Sequence, residues 1–428
     1  MNILVQGSRL LDTRKATIEQ ADIALCQGAI VAIGSIPPGF VADRVIEADG
    51  LLAIPGLVDL GAYLRDPGFE YKATIASETK AAAAGGVTTL CCMPDTEPRI
   101  DSAATVELIQ KRAHEAGFCK VLTIGAMTRK LAGQELSDMA ALKEAGCVAV
   151  SHCLYPFTNA LVLRRAMEYA SGLGLRIFIQ PFDSMLAANG CAHEGALALH
   201  LGLTSISVAT ETAFLSQCIE IAGDLDAEVH FCRLSCMRSV ELIAAAQARG
   251  LKISADVSAH QLFLSEEMLI HFDPNYHVLP PLRSNQDREA LRIAIRDGTI
   301  SAICSDHQPH DIGAKLVPFP SSEPGISAIE TLLALTFRLV DEKVIDLAKA
   351  VDLVTRGPAT VLNWGCGTLQ KGGVADLCLI DLNETWKLSA PRMYSSGVNS
   401  PFIGETFKGC IRYTICNGKV SYEADQPR

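Results

Sequence analysis

Between residues 57 and 304 the chain repeats one rhythm eight times: a short apolar run, then a longer stretch with helical spacing. The runs occupy 57–60, 87–92, 120–125, 147–151, 176–180, 228–232, 251–255 and 300–304, and helical stretches between them include 105–116, 159–171, 239–248 and 287–296. Such alternation is the mark of βα repeats on a parallel sheet. Eight parallel strands predict an α/β fold closed into a (β/α)8 barrel, whose functional residues sit at the strands' C-terminal ends. A dinucleotide-binding sheet is disfavoured, because no Gly-x-Gly-x-x-Gly follows an early strand.

The rhythm differs at both ends. Residues 2–5, 23–26, 29–33 and 44–47 are short β-branched runs broken by Gly28, Gly34 and Pro37-Pro38-Gly39. Toward the other end 375–381 reads as a strand, and 411–416 and 419–422 flank Asn417-Gly418. Asn-Gly suits the two positive-φ positions of a tight hairpin turn. The simplest organisation is a small β-sandwich built from residues 1–53 and 366–428 around a barrel at 54–365.

Composition narrows the partners. Hydrophobic residues make up 49% and charged residues 20%, enough for a substantial core. A net charge of −11 without a basic block argues against nucleic acid or an anionic membrane. The N-terminal residues lack a basic segment followed by an apolar one, so no secretory leader is expected. The uncharged stretch 145–163 contains Ser151, His152, Pro156 and Asn159, which predicts a strand, loop and helix, not a membrane span. Fifteen cysteines without any Cys-x-x-Cys pair are expected as reduced core thiols in the cytoplasm. Cys232-x-x-x-Cys236 beside His230 comes nearest to a metal-ligand spacing.

Several strings then occur in a telling order. Ile54-Pro55-Gly56-Leu57-Val58-Asp59-Leu60 leads into Leu64-Arg65-Asp66-Pro67-Gly68, and Gly85-Gly86-Val87-Thr88-Thr89 into Met93-Pro94-Asp95-Thr96. Next come Pro280-Pro281-Leu282-Arg283-Ser284, Ser305-Asp306-His307-Gln308-Pro309-His310, Pro324-Gly325-Ile326 with Glu330, and Pro401-Phe402-Ile403-Gly404. The series resembles the bacterial dihydroorotases of the amidohydrolase superfamily and spans residues 54–404. The resemblance implies a TIM barrel of the amidohydrolase type. It also implies one or two divalent metals that activate water and polarise a cyclic amide.

The same resemblance predicts that the metal ligands are missing. Where the family has His-x-His after its first strand, this chain has Gly61-Ala62-Tyr63; where it has a modified lysine or an aspartate, Ser151-His152-Cys153. The histidine positions of the fifth and sixth strands hold Gln180 and Arg233, and only Asp306 survives of the ligand set. Guanidinium offers no lone pair and repels a dication. Of the substrate-reading positions, Arg65 and His310 match, but two asparagines have become Asp95 and Leu279. Asp95 is expected to neutralise Arg65 internally, and Arg233, Gln180 or water to meet Asp306.

The resemblance therefore implies a non-catalytic subunit, without zinc, that supports the aspartate carbamoyltransferase catalytic chain in pyrimidine biosynthesis. A homodimer inside a larger hetero-oligomer is expected. Two other readings stay open: a cyclic amidohydrolase using His152, His307 and Asp306, and a metal-free small-molecule binder using Arg65, Arg233 and Asp306. His152 and Cys153 could also join His230 or Cys232 in a soft metal site. His193 and His200, seven apart, could share a helix face, His260 reads as structural, and Gly85 and Gly86 as a turn into the second strand.

Overall fold

In the computed structural model, which describes residues 1–424, the chain opens with five strands. They are β1 (Asn2–Asp12), β2 (Thr17–Cys26), β3 (Ala29–Ile33), β4 (Arg44–Glu47) and β5 (Leu52–Pro55). β1 is longer than its apolar start predicts. Its antiparallel register with β2 shifts between Val5 and Ser8, where Gly7 has a φ of +76° and its N–H bonds Asp22. The bulge lets β1 pair with β4 through its first half and β5 through its second.

Eight strands then form the barrel: β6 (Leu57–Ala62), β7 (Val87–Cys92), β8 (Lys120–Ala126), β9 (Ala149–Ser151) and β10 (Arg176–Ile179), followed, after the two-residue pair β11 (Ala192–His193) and β12 (Ser205–Ile206), by β13 (Val229–Phe231), β14 (Ile253–Ser258) and β15 (Ala302–Cys304). Every neighbouring barrel pair is parallel. A bridge from Ala62 to His307, with Tyr63 N–H donating to the His307 carbonyl at 2.9 Å, brings the last strand back to the first. Val58, Leu60, Cys91, Ile124, Phe178, Cys232 and Cys304 fill the interior. The strands lie where the apolar runs predict except the seventh, which is shifted to Ile253–Ser258. Leu251 instead closes the helix Met237–Ala248, its N–H bonding the Ala246 carbonyl. The strand runs on through Asp256 and Ser258, polar residues that hid it from a hydrophobic pattern.

The chain returns to the first sheet with β16 (Leu377–Lys387), β17 (Thr406–Cys416) and β18 (Lys419–Glu423). The sheet order is β18-β17-β16-β5-β1-β2-β3, with β4 on β1. It wraps a second core of Ile3, Val5, Ile23, Leu25, Leu377 and Ile415. Asn417 and Gly418 both have positive φ, 53° and 71°, as the tight turn between β17 and β18 requires. All fifteen cysteines are free, and all but Cys26 and Cys366 are buried. No helix among the described residues is long and apolar enough to cross a membrane.

Candidate functional site

The mouth of the barrel is built around Arg233. This residue follows β13, is 1% exposed, and has a φ of +56°, held by its N–H donating to Asp256 Oδ1 at 2.6 Å. The side chain turns inward across the strand ends. Its Nη2 donates to Gln180 Oε1 at 2.7 Å, its Nε lies 3.6 Å from Asp306 Oδ1, and its guanidinium carbon lies 5.8 Å from the Tyr63 ring centre. A Cβ on Gly61 would stand only 2.6 Å from Arg233 Nη1. Gly61 thus leaves room for the guanidinium. The mouth positions Gly61, Tyr63, Gln180, Arg233 and Asp306 do converge, and a fixed cation lies among them. Cys153, also buried, has a φ of +51° and donates its N–H to Ser151 Oγ.

The electrostatics follow from burial. Desolvation works against the charge on Arg233, but the intrinsic basicity of guanidinium and the facing Asp306 keep it protonated. Burial pushes the Tyr63 phenol and Cys153 thiol up, leaving both neutral. Asp306 is lifted to about 7 by burial, against the pull of Arg233 and a hydrogen bond from Gln308 Nε2 at 3.1 Å. Arg233 therefore meets Asp306 directly, whereas Gln180 bonds the arginine and not the acid. Arg233 Nε and Nη1 and Gln180 Nε2 have no hydrogen-bond partner among the described residues. This donor set does not fit a divalent metal. Gly61 offers nothing, Gln180 spends its oxygen on Arg233, and the one carboxylate already faces a cation.

Beside this centre, Arg65 Nη1 contacts Asp95 Oδ2 at 3.3 Å while its Nε donates to the Pro309 carbonyl at 3.2 Å. Burial raises the Asp95 carboxyl, and Arg65 and Arg99 pull it back. His310 Nε2 lies 3.4 Å from Arg65 Nη2 and 3.0 Å from the Pro324 carbonyl. Burial, then Arg65 and Lys72, drive His310 down to about 2, so it is neutral throughout the ordinary pH range. Leu279 packs with the Phe182, Ala187 and Ile206 cluster. The remaining substrate-side groups are satisfied by one another.

The alternative ligand sets are not brought together. His152 stacks on Phe157 and bonds the Pro156 carbonyl, and Cys236 faces Glu211 and Ser239, away from His230. His307 Nε2 bonds Glu78 Oε2 at 2.6 Å and its Nδ1 accepts from Ala328 N–H at 3.0 Å, so both ring nitrogens are used. It ties the barrel seam to the helix Ile75–Ala84. His307→Ala is expected to cost about 2 kcal/mol by leaving Glu78 buried with one partner fewer, with urea unfolding as the check. His193 lies on β11 and His200 in the helix Ala196–Leu201, so they share no helix face. His260, 1% exposed, is driven down to about 3 by burial and stays neutral.

One network carries no sequence signal, and Asp256 joins the His230 and Cys232 that the ligand spacing singles out. Glu211, buried in the helix Ala209–Leu225, accepts from Ser235 N–H at 3.0 Å, and Arg283 Nε donates to Ser235 Oγ at 3.0 Å. This network fixes the turn that aims Arg233. His230, Cys232 and Asp256 form the one group among the described residues whose ligand atoms lie within 4.8 Å of one another. There His230 Nε2 bonds Asp256 Oδ2 at 2.9 Å, and the other carboxylate oxygen holds Arg233 N–H.

Comparison with known proteins agrees with this architecture. Residues 50–239 match the family described as dihydro-orotase-like, and residues 196–421 match the amidohydrolase family. A dihydroorotase-like protein from Pseudomonas aeruginosa is 44% identical over 99% of this chain and 100% of its own length. A dihydroorotase from Geobacter metallireducens is 40% identical over the same shares. Among solved structures, an L-hydantoinase (dihydropyrimidinase) from Arthrobacter aurescens superposes with a TM-score of 0.89 at 22% identity, covering 100% of this chain and 97% of that one. The chain belongs to the amidohydrolase family, as one of its dihydroorotase-like members.

Proposed function

We propose that this chain is a non-hydrolytic dihydroorotase homologue that acts in the cytoplasm as a structural subunit supporting aspartate carbamoyltransferase in pyrimidine biosynthesis. The observation that carries the first half is the Arg233 guanidinium seated between Gly61, Tyr63, Gln180 and Asp306. Hydrolysis of a cyclic amide at neutral pH in this family needs a metal to lower the pKa of water, and a buried guanidinium opposes that metal at close range. The partner follows from the family resemblance, in which barrels that lose their ligands persist as scaffolds. Full-length similarity to the P. aeruginosa dihydroorotase-like protein supports an intact barrel under this reading.

Co-expression with the carbamoyltransferase of the same organism tests it. The two chains are expected to co-elute as one complex, with transferase activity lower or shorter-lived when this chain is omitted. A transferase equally active and stable alone, never co-eluting, contradicts the subunit role. A second reading, a working cyclic amidohydrolase, is favoured by the relative named dihydroorotase at 40% identity. Under that reading the chain supplied with zinc opens the dihydroorotate ring.

A further inference from the structure

Beside Arg233 the barrel carries a second cluster, of the opposite chemistry. His230 lies on β13, Cys232 just after it, and Asp256 on the neighbouring β14. All three are buried, and one ligand atom from each lies within 4.8 Å of the other two. Tetrahedral zinc, with bonds of about 2.0–2.3 Å, spaces its ligand atoms roughly 3.3–3.8 Å apart. Small side-chain rotations separate the cluster from that spacing. Unlike the mouth, it offers an imidazole, a thiol and a carboxylate together.

The contacts behind each group are those that orient metal ligands. His230 Nε2 faces Asp256 Oδ2 at 2.9 Å, while its Nδ1 lies 2.8 Å from Ser254 Oγ. With Nε2 on a metal, the ring proton sits on Nδ1 and is donated to that hydroxyl. Asp256 Oδ1 accepts the Arg233 backbone N–H at 2.6 Å, which turns Oδ2 toward the cluster. The Phe178 ring packs 4.9 Å from the imidazole, and Cys304 Sγ, 3.5 Å from Asp256 Oδ1, offers a further donor. A cavity of about 460 Å3 at the strands' N-terminal ends is lined by His230 and Ser254 and gives an approach from solvent.

Charge also favours a cation here. A divalent metal displaces the Cys232 thiol proton, which leaves for solvent. One thiolate and one carboxylate then match its two charges around a neutral imidazole. The Arg233 guanidinium, turned toward Gln180 and Asp306, thus meets a neutral complex. At the mouth a single carboxylate would have to hold the metal against that guanidinium. We infer that His230, Cys232 and Asp256 bind a divalent cation of the zinc class inside the barrel, apart from the mouth. Such an ion ties β13 to β14, and the inference does not depend on the subunit role.

Titration of the full chain, stripped with a chelator, with cobalt(II) tests this. One equivalent is expected to bind with a thiolate-to-cobalt charge-transfer band, which one equivalent of zinc bleaches. Cys232→Ser should abolish the band and Cys153→Ser at the mouth should keep it, with circular dichroism confirming each fold. Ser254→Ala, which removes the hydroxyl behind His230, is expected to weaken binding about tenfold. Anomalous diffraction at the cobalt edge from the unmodified chain should place the ion among His230, Cys232 and Asp256, whether or not the variants fold. No band and no peak at about 1 mM cobalt, a weak limit for a specific site, overturns this inference alone. So does a band that folded Cys232→Ser retains. A peak at Asp306 instead overturns both this inference and the metal-free reading of the mouth.

Discussion

Arg233→Ala is expected to lower the unfolding free energy at pH 8 by about 3–5 kcal/mol, mostly by emptying the volume of a fully buried side chain, with up to about 1.4 kcal/mol from Asp306, which takes up a proton once its counterion is gone. The loss should be smaller at pH 5. Asp306 already titrates at about 7 in the intact protein, above its ordinary 3.8, with burial as the main cause and Arg233 opposing it. Its contribution to stability is therefore fully present below about 3.8 and lost as pH rises through about 7. Without Arg233 the carboxyl moves higher still, so near pH 5 it enters the barrel as a neutral acid. Urea unfolding at both pH values measures the difference. R233M/D306N should regain most of the loss, since it removes both charges and keeps the stem's volume. An equal loss at both pH values would mean that Arg233 acts by filling space alone, not by charge.

Restoring histidine at residues 61, 63, 180 and 233 is expected to yield no ring opening of dihydroorotate above buffer, even with zinc supplied. Three shortfalls would remain. Cys153 gives no acid at the end of the fourth strand, Asp95 occupies Arg65, and Leu279 packs into an apolar cluster. The order of introduction also matters. Gly61→His alone forces a Cβ against Arg233 Nη1, where only 2.6 Å is free, and should cost about 1–3 kcal/mol as an overpacked core. In the Arg233→His background that penalty should shrink, giving a coupling of about 1 kcal/mol in a double-mutant cycle. Additive effects would show that the two positions do not compete for one space. Measurable turnover in the fourfold variant would show that the ligand positions alone limit the chemistry.

What could be read from the chain divides along physical lines. Barrel strands announce themselves because both faces are buried, so Leu57–Ala62 and Val87–Cys92 read as mainly apolar runs, interrupted only by Asp59 and by Thr88 and Thr89. β14 resists because Asp256 and Ser258 are polar yet buried, and Asp256 is tolerated through long-range bonds to His230 and Arg233 N–H. The identity of the mouth residues was legible by position along the family series, but their arrangement was not. That Gly61 makes room for Arg233, and that Gln180 serves the arginine and not Asp306, depends on side-chain directions across the barrel. Pairs distant in sequence, such as His307 with Glu78 and Glu211 with Ser235, leave no local pattern.

The most direct test of the whole account is anomalous diffraction at the zinc absorption edge from crystals grown with excess zinc, paired with a dihydroorotate ring-opening assay on the same protein. No zinc is expected within coordination distance of Asp306, with the Arg233 side chain in that place and no turnover. A fully occupied zinc bound to Asp306, with Arg233 swung aside and ring opening measurable, would contradict it.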